Sequence, residues 1–195
     1  LYRVVPHVVV RPRQVEEVLA TVAACRATGT PLTSRGAGTS IAGNAVGTGV
    51  VLDFSRHLNR VHDIDVEART ARVDPGTVHA VLQRAATPLG LRFGPDPSTH
   101  TRCTVGGMIG NNACGSRALA YGRTADNVIG LDVVTTAGEE LSLSAGGATM
   151  SPTLDRLRDV MADGLGTVRT EFGTFGRQVS GYSLEHLLPE RGFDV

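Results

Sequence analysis

The sequence predicts an α+β fold in two lobes: a small parallel-stranded lobe over residues 1–58 and a larger lobe over 59–195 built on an antiparallel sheet. Three observations predict it. Near the start, the strand-like runs Val8-Val9-Val10, Pro31-Leu32-Thr33-Ser34 and Val50-Val51-Leu52-Asp53-Phe54 have one helical pattern between the first two, which makes a small α/β unit. Farther on, Arg60-Val61-His62-Asp63-Ile64-Asp65 and Thr70-Ala71-Arg72-Val73-Asp74 alternate polar with apolar residues, as a half-exposed antiparallel pair does, with a turn near Glu67-Ala68. Later, the run from Val128 to Thr136 and Glu140-Leu141-Ser142-Leu143 read as a hairpin across Ala137-Gly138.

The remaining elements follow from local signals. Arg11-Pro12-Arg13 opens a helix in which Val15, Val18, Leu19, Val22 and Ala23 recur at helical spacing, and Gly29 closes it. Val8-Val9-Val10 is expected to be buried. Pro75-Gly76-Thr77 introduces a second helix carrying Val78, Val81, Leu82 and Ala85, with Thr77 as candidate N-cap. Ser116 to Tyr121 suits a short helix broken by Gly122-Arg123-Thr124. From Pro152 an amphipathic pattern runs through Leu154, Leu157, Val160 and Met161 to about Val168, with Ser151 as N-cap.

Composition removes several function classes. Lysine plus arginine and aspartate plus glutamate are equal at 19 each, so the basic footprint of a nucleic-acid binder is missing. No run of 18 apolar residues and no signal-peptide order occur, which gives the expectation of no transmembrane segment and a cytoplasmic location. Cys25, Cys103 and Cys114 are odd in number and lack Cys-x-x-Cys spacing, so small buried apolar residues are expected rather than a disulfide or zinc site. The histidines His7, His57, His62, His79, His100 and His186 form neither His-x-His nor His-Glu-x-x-His, and no metal site is expected.

Most of the 24 glycines fall in clusters. The larger runs from Gly94-Pro95-Asp96-Pro97-Ser98-Thr99-His100 through Cys103-Thr104-Val105-Gly106-Gly107-Met108-Ile109-Gly110-Asn111-Asn112-Ala113-Cys114-Gly115-Ser116. Glycine lets backbone approach a ligand closely, and Asn, Ser and Thr supply short donors and acceptors, so the stretch suits one wall of a cofactor site. Alone, it is equally a tightly packed β-core in which glycine marks bulges. The second cluster is Ser34-Arg35-Gly36-Ala37-Gly38-Thr39-Ser40-Ile41-Ala42-Gly43-Asn44. It lacks the Gly-Lys-Ser/Thr ending of a Walker loop, and no crossover helix of the Rossmann kind fits before the strand that begins near residue 49. What remains is a nest of backbone N–H groups able to hold an anion such as pyrophosphate, with Arg35 adding charge, or else a glycine-rich hairpin.

No catalytic constellation accompanies these loops. Gly38-Thr39-Ser40-Ile41-Ala42 half-resembles a nucleophile elbow but has Ala42 where the second glycine belongs. No carboxylate pair has acid/base spacing. Two ligand loops without a catalytic group imply reactivity borrowed from a cofactor.

Taken together, in this order and about sixty residues apart, the two clusters resemble the flavin domain of the vanillyl-alcohol oxidase and p-cresol methylhydroxylase (PCMH) superfamily. Ser34 to Gly43 is similar to its pyrophosphate loop. Cys103-Thr104-Val105-Gly106-Gly107 with Asn112-Ala113-Cys114-Gly115 is similar to its second flavin segment, and Tyr121-Gly122-Arg123-Thr124 with Asn127-Val128-Ile129-Gly130-Leu131 extends the match. The spelling from Gly107 to Leu119 and the tail Val179-Ser180-Gly181-Tyr182-Ser183-Leu184-Glu185-His186-Leu187 resemble the FAD-linked D-2-hydroxy-acid dehydrogenases that act on D-lactate, glycolate or D-2-hydroxyglutarate and carry a fused iron–sulfur domain.

The resemblance implies a two-lobed PCMH-type fold with FAD between the lobes. Backbone groups of Arg35, Gly36, Ala37, Gly38 and Thr39, within the loop that ends at Gly43, would take the pyrophosphate with help from the Ser40 side chain. Pro95, Asp96, Thr104, Gly106, Gly107, Asn111, Asn112, Gly115 and Gly122 would line the isoalloxazine and ribityl parts, and Val128 and Ile129 the adenine side. Many relatives attach flavin through a histidine at the place of Thr39, so non-covalent FAD is implied here. The family continues with a further flavin-site strand and a substrate domain that supplies the catalytic histidine and any metal ligands. The chain is therefore expected to be an FAD domain cut from a longer enzyme, with any iron–sulfur cluster in the missing C-terminal region.

The activity implied is oxidation of a D-2-hydroxy acid to a 2-oxo acid by hydride transfer to flavin N5. Electrons would pass to an iron–sulfur centre or the quinone pool, in the cytoplasm or peripheral to the inner membrane. The alternatives are another flavoenzyme of the fold, such as a sugar oxidase or UDP-sugar enolpyruvyl reductase, and a non-catalytic FAD-carrying subunit.

Overall fold

The computed structural model describes residues 3–144, 147–148, 150–175 and 182–195. The chain divides into two compact units, Leu1–Asn127 with Thr136–Gly138, and Val128–Thr135 with Glu139–Val195. The lobe boundary expected near residue 58 falls inside the first unit.

In the first unit, strands β1 (Val8–Val10), β2 (Leu32–Arg35) and β3 (Val50–Asp53) form a parallel sheet in the order β1-β3-β2. Sheet order explains one difference from expectation. β3 is central and its Val51 and Leu52 are buried, whereas β1 is an edge strand whose Val8 and Val9 are about half exposed. Helix α1 (Val15–Thr28) buries Val18, Val22 and Cys25, a stripe at i, i+4 and i+7 that leaves Val15 and Ala23 exposed. Gly29 ends it in the left-handed conformation (φ 64°), its N–H reaching the carbonyls of Arg26 and Cys25. β2 and β3 pair in parallel from Leu32↔Val50 to Arg35↔Asp53, and the connection between them contains no helix.

Strands β4 (Val61–Asp65) and β5 (Thr70–Val73) form the expected antiparallel pair, with an irregularity between Val61 and Asp63. Helix α2 (His79–Ala86) follows. Its N-cap is Val78 rather than Thr77, because Thr77 is fully buried and donates its hydroxyl to the Arg60 carbonyl at 2.9 Å. Helices α3 (Val105–Gly110) and α4 (Ala118–Tyr121) lie within and just after the long glycine-rich stretch. Of the cysteines, Cys25 and Cys103 are buried and Cys114 is half-buried; none forms a disulfide among the described residues.

The second unit holds an antiparallel sheet of β6 (Gly130–Val134), β7 (Glu140–Ser144) and β8 (Gly147–Ala148) in that order. The antiparallel structure of the described residues is thus two small sheets, not one. Helix α5 (Pro152–Glu171) starts at Ser151, whose hydroxyl accepts from Leu154 N at 3.3 Å. Leu154 packs with Leu141 and Leu143 of β7, while Met161 and Val168 pack with Leu187 and Leu188. Arg169 grips Glu190 with two hydrogen bonds of 2.9 Å, which pull that carboxyl down to about 2. Of the tail motif, Val179, Ser180 and Gly181 lie outside the described residues. No helix among the described residues is long and apolar enough to cross a membrane.

Candidate functional site

The first glycine-rich loop leaves β2 at Arg35 and returns at β3. Among the described residues, the backbone N–H groups of Gly36, Ala37, Gly38, Thr39 and Ser40 donate to no protein acceptor. None of these residues is buried, so the five donors are open to water, and a run of such N–H groups is also able to hold an anion. Gly38 and Gly43 have φ of 68° and 80°, which L side chains seldom adopt. The Arg35 side chain folds back across the loop, with a guanidinium nitrogen 2.7 Å from where a Gly38 Cβ would sit and Nη1 3.5 Å from the Ala45 carbonyl. Arg35, Gly38, Ser40, Ile41 and Gly43 line an open concavity of about 280 Å³. A guanidinium beside free backbone donors over such a hollow fits a diphosphate.

The second segment meets this loop directly. A Cβ added to Gly36 would lie 2.0 Å from Thr104 Oγ1, so the loop backbone is seated on the Thr104 side chain. Thr104 is itself 1% exposed and caps α3, its hydroxyl accepting from Gly107 N at 3.4 Å. Gly106 packs on Pro75, and its N–H donates to the Pro75 carbonyl at 2.8 Å. The same strap of chain continues with Val105 N to Thr77 O at 2.8 Å and His79 N to Cys103 O at 2.9 Å.

The two ends of the segment also close on each other. A Gly115 Cβ would fall 1.8 Å from the Asp96 carbonyl oxygen, so Gly115 lies flat against the Pro95-Asp96-Pro97 backbone. Asp96 stands between Arg117 (3.4 Å) and Arg92 (3.9 Å), while Gly94, Pro95 and Pro97 are buried. Asn111 ends α3 and returns its side-chain amide to Gly107 O at 2.9 Å; Asn112, at φ 43°, accepts from Ala125 N at 3.0 Å. Gly122, at φ 71°, is crowded by Asp126 and follows α4. Burial pushes the Cys103 thiol up, with a hydrogen bond to Thr99 opposing, so it is not a thiolate nucleophile.

The structure therefore brings sixteen of the candidate residues, Arg35 to Gly122, into the first unit, with Gly36 touching Thr104 and Gly115 touching Asp96. Val128 and Ile129 fall in the second unit, where Val128 is half-buried and Ile129 is 59% exposed. Sequence reasoning missed the Pro75–His79 strap, α3 and the pair His79 and Gln83. The available signal was a histidine and a glutamine four residues apart at the start of a helix, both able to hold main chain.

A sequence profile of the family described as FAD binding domain matches residues 6–144. Among curated proteins, the D-2-hydroxyglutarate dehydrogenase of Pseudomonas putida is 37% identical over 172 residues, covering 83% of this chain and 17% of that protein. Glycolate oxidase subunit GlcD of Escherichia coli is 39% identical over 158 residues, covering 80% of this chain and 31% of that protein. The chain thus spans 17% and 31% of the lengths of these relatives.

Among solved structures, 6-hydroxy-D-nicotine oxidase from Arthrobacter nicotinovorans is similar with a TM-score of 0.64 and 25% identity, over 72% of this chain and 31% of that one. Alkyldihydroxyacetonephosphate synthase gives 0.61 and 26%, over 70% and 25%. The two-lobed PCMH-type fold expected from the paired glycine clusters is the fold of these neighbours.

Proposed function

The chain belongs to the FAD binding domain family, and from that premise we propose that it is the FAD-binding part of an oxidoreductase that converts a D-2-hydroxy acid to a 2-oxo acid. The observation that carries the reading is the contact of Gly36 with Thr104, which joins an anion-ready loop to a segment spelled like that of hydroxy-acid dehydrogenases. Arg35 and the backbone of Gly36 to Thr39, with Ser40 and the turn at Gly43, hold the diphosphate. Pro95, Asp96, Thr104, Gly106, Gly107, Asn111, Asn112, Gly115 and Gly122 flank the ring and ribityl chain. Thr39 offers no imidazole for attachment, so FAD is held non-covalently.

Bound FAD supplies the two-electron acceptor for the hydride that leaves the α-carbon as the hydroxyl proton is lost. The chain's own residues bind and orient that acceptor; the base and the substrate's carboxylate partners belong to a further domain of a longer protein. Electrons leave for an iron–sulfur centre or the quinone pool, in the cytoplasm or at the inner-membrane surface.

The test is anaerobic mixing of the FAD-loaded, full-length protein with D-2-hydroxyglutarate, D-lactate, glycolate and NADPH. Loss of absorbance near 450 nm with one of the hydroxy acids is expected. Bleaching by NADPH alone, or by none of the four, overturns the assignment.

A further inference from the structure

We infer that His79 is a positioning residue for the turn Gly94-Pro95-Asp96-Pro97, holding it from beneath by a hydrogen bond from a neutral imidazole to the Pro95 carbonyl. This rests on the reading of that turn as FAD-facing. Pro95 has no N–H, so its carbonyl is its one main-chain hydrogen-bonding group, and burial removes water as a partner. His79 is 1% exposed and its Nε2 lies 2.8 Å from Pro95 O. A carbonyl only accepts, so Nε2 carries a proton, and in the neutral ring Nδ1 then keeps its lone pair. That Nδ1 is buried with no hydrogen-bond partner among the described residues.

The surrounding helix turn reads the same stretch of main chain. Gln83, four residues on and thus on the same face of α2, donates Nε2–H to Phe93 O at 2.8 Å and accepts from Phe93 N through Oε1 at 3.1 Å. Backbone donors of the first turn reach the far side of the loop, His79 N to Cys103 O at 2.9 Å and Ala80 N to His100 O at 3.1 Å. The first two turns of α2 thus clamp residues 93–95 with side chains and 100–103 with backbone. The imidazole is packed between Phe93, ring centroids 5.9 Å apart, and His100, 6.1 Å away edge-on.

Such a latch is sensitive to protons. The charged or titratable groups facing it are Asp96, His100 and Arg92. Burial pushes the imidazole below its ordinary 6.5, the Pro95 carbonyl and the Asp96 carboxylate push back, and His100 and Arg92 reinforce the fall. A folded value below the unfolded one means that, under about pH 6.5, the unlatched state takes up the proton first. Protonation would put a second N–H where no acceptor stands among the described residues. The latch is complete above that pH and weakens as pH falls below it.

The test compares wild type, His79→Gln, which keeps a neutral donor, and His79→Leu, which keeps bulk without one. FAD affinity is measured by quenching of flavin fluorescence from pH 8 to pH 5. Wild type is expected to weaken about tenfold between pH 7 and pH 5, beyond what His79→Gln shows, and His79→Leu to be about tenfold weaker than wild type at pH 7 with a flat profile. A wild-type pH slope in His79→Gln, or wild-type affinity in His79→Leu, overturns the inference. Hydrogen exchange at Phe93, Gly94 and Asp96 without FAD separates the latch from the cofactor reading. About tenfold faster exchange in His79→Leu, restored in His79→Gln, supports the latch even if no variant binds FAD; unchanged exchange in His79→Leu refutes it.

Discussion

Replacing Gly36 with alanine is expected to weaken FAD binding at least tenfold and to destabilise the first unit by about 2 kcal/mol, the usual scale for overpacking. The new methyl would stand 2.0 Å from Thr104 Oγ1. Thr104 cannot swing away cheaply, because it is β-branched, 1% exposed and tied to Gly107 N as the cap of α3. The contact can be tested from both sides. Thr104→Ala alone costs about 1 kcal/mol as a lost helix cap. It also removes the offending oxygen and leaves a Cβ 3.3 Å from the new methyl, which small shifts can absorb. Thermal or denaturant unfolding should therefore give the double variant a cost below the sum of the singles by about 1 kcal/mol or more. Strict additivity would mean that the loop and the α3 cap do not touch.

The larger effect is expected at Gly115. An alanine there places its Cβ 1.8 Å from the Asp96 carbonyl oxygen and 2.2 Å from its carbon. Both are backbone atoms, fixed by buried prolines on either side, so nothing nearby can turn aside. We expect a loss above about 3 kcal/mol, seen as failure to accumulate as soluble protein or as loss of the cooperative transition, with FAD binding abolished. Gly164→Ala is the contrast. That glycine sits inside α5 with nothing within 4 Å of its added carbon, so the same change should stabilise by about 0.5–1 kcal/mol. If Gly115→Ala behaves like Gly164→Ala, the segment from Asp96 to Gly115 is not closed on itself as described.

What could be read in the sequence was what depends on neighbours in the chain. The left-handed stop at Gly29, the cap at Ser151, the β4–β5 pair and the β6–β7 hairpin are all set within a few residues, and all stand where the pattern puts them. Absence of a helix between Gly36 and β3 followed from loop length alone. Features fixed at long range were not legible. Val8 and Val9 are apolar enough for a core, yet sheet order leaves them on an edge. Thr77 looks like a cap, yet the chain from Arg60 claims its hydroxyl. Helix α3 hides among glycines, whose helix propensity is poor, and forms because Thr104 caps it while the Pro75 strap packs against it. The glycine clusters stand out in the spelling, but only folding reveals that Gly36 rests on Thr104 and Gly115 on Asp96.

Hydrogen exchange of the wild-type protein with and without FAD tests most directly whether both clusters serve one cofactor. The amides of Gly36 to Ser40 have no protein acceptor among the described residues, so they should exchange fast alone and slow sharply when FAD is added. Amides from Thr104 to Gly115 should slow over the same FAD concentrations, with a single midpoint. Protection of one cluster without the other, or of neither at an FAD concentration that quenches flavin fluorescence, would contradict a shared site.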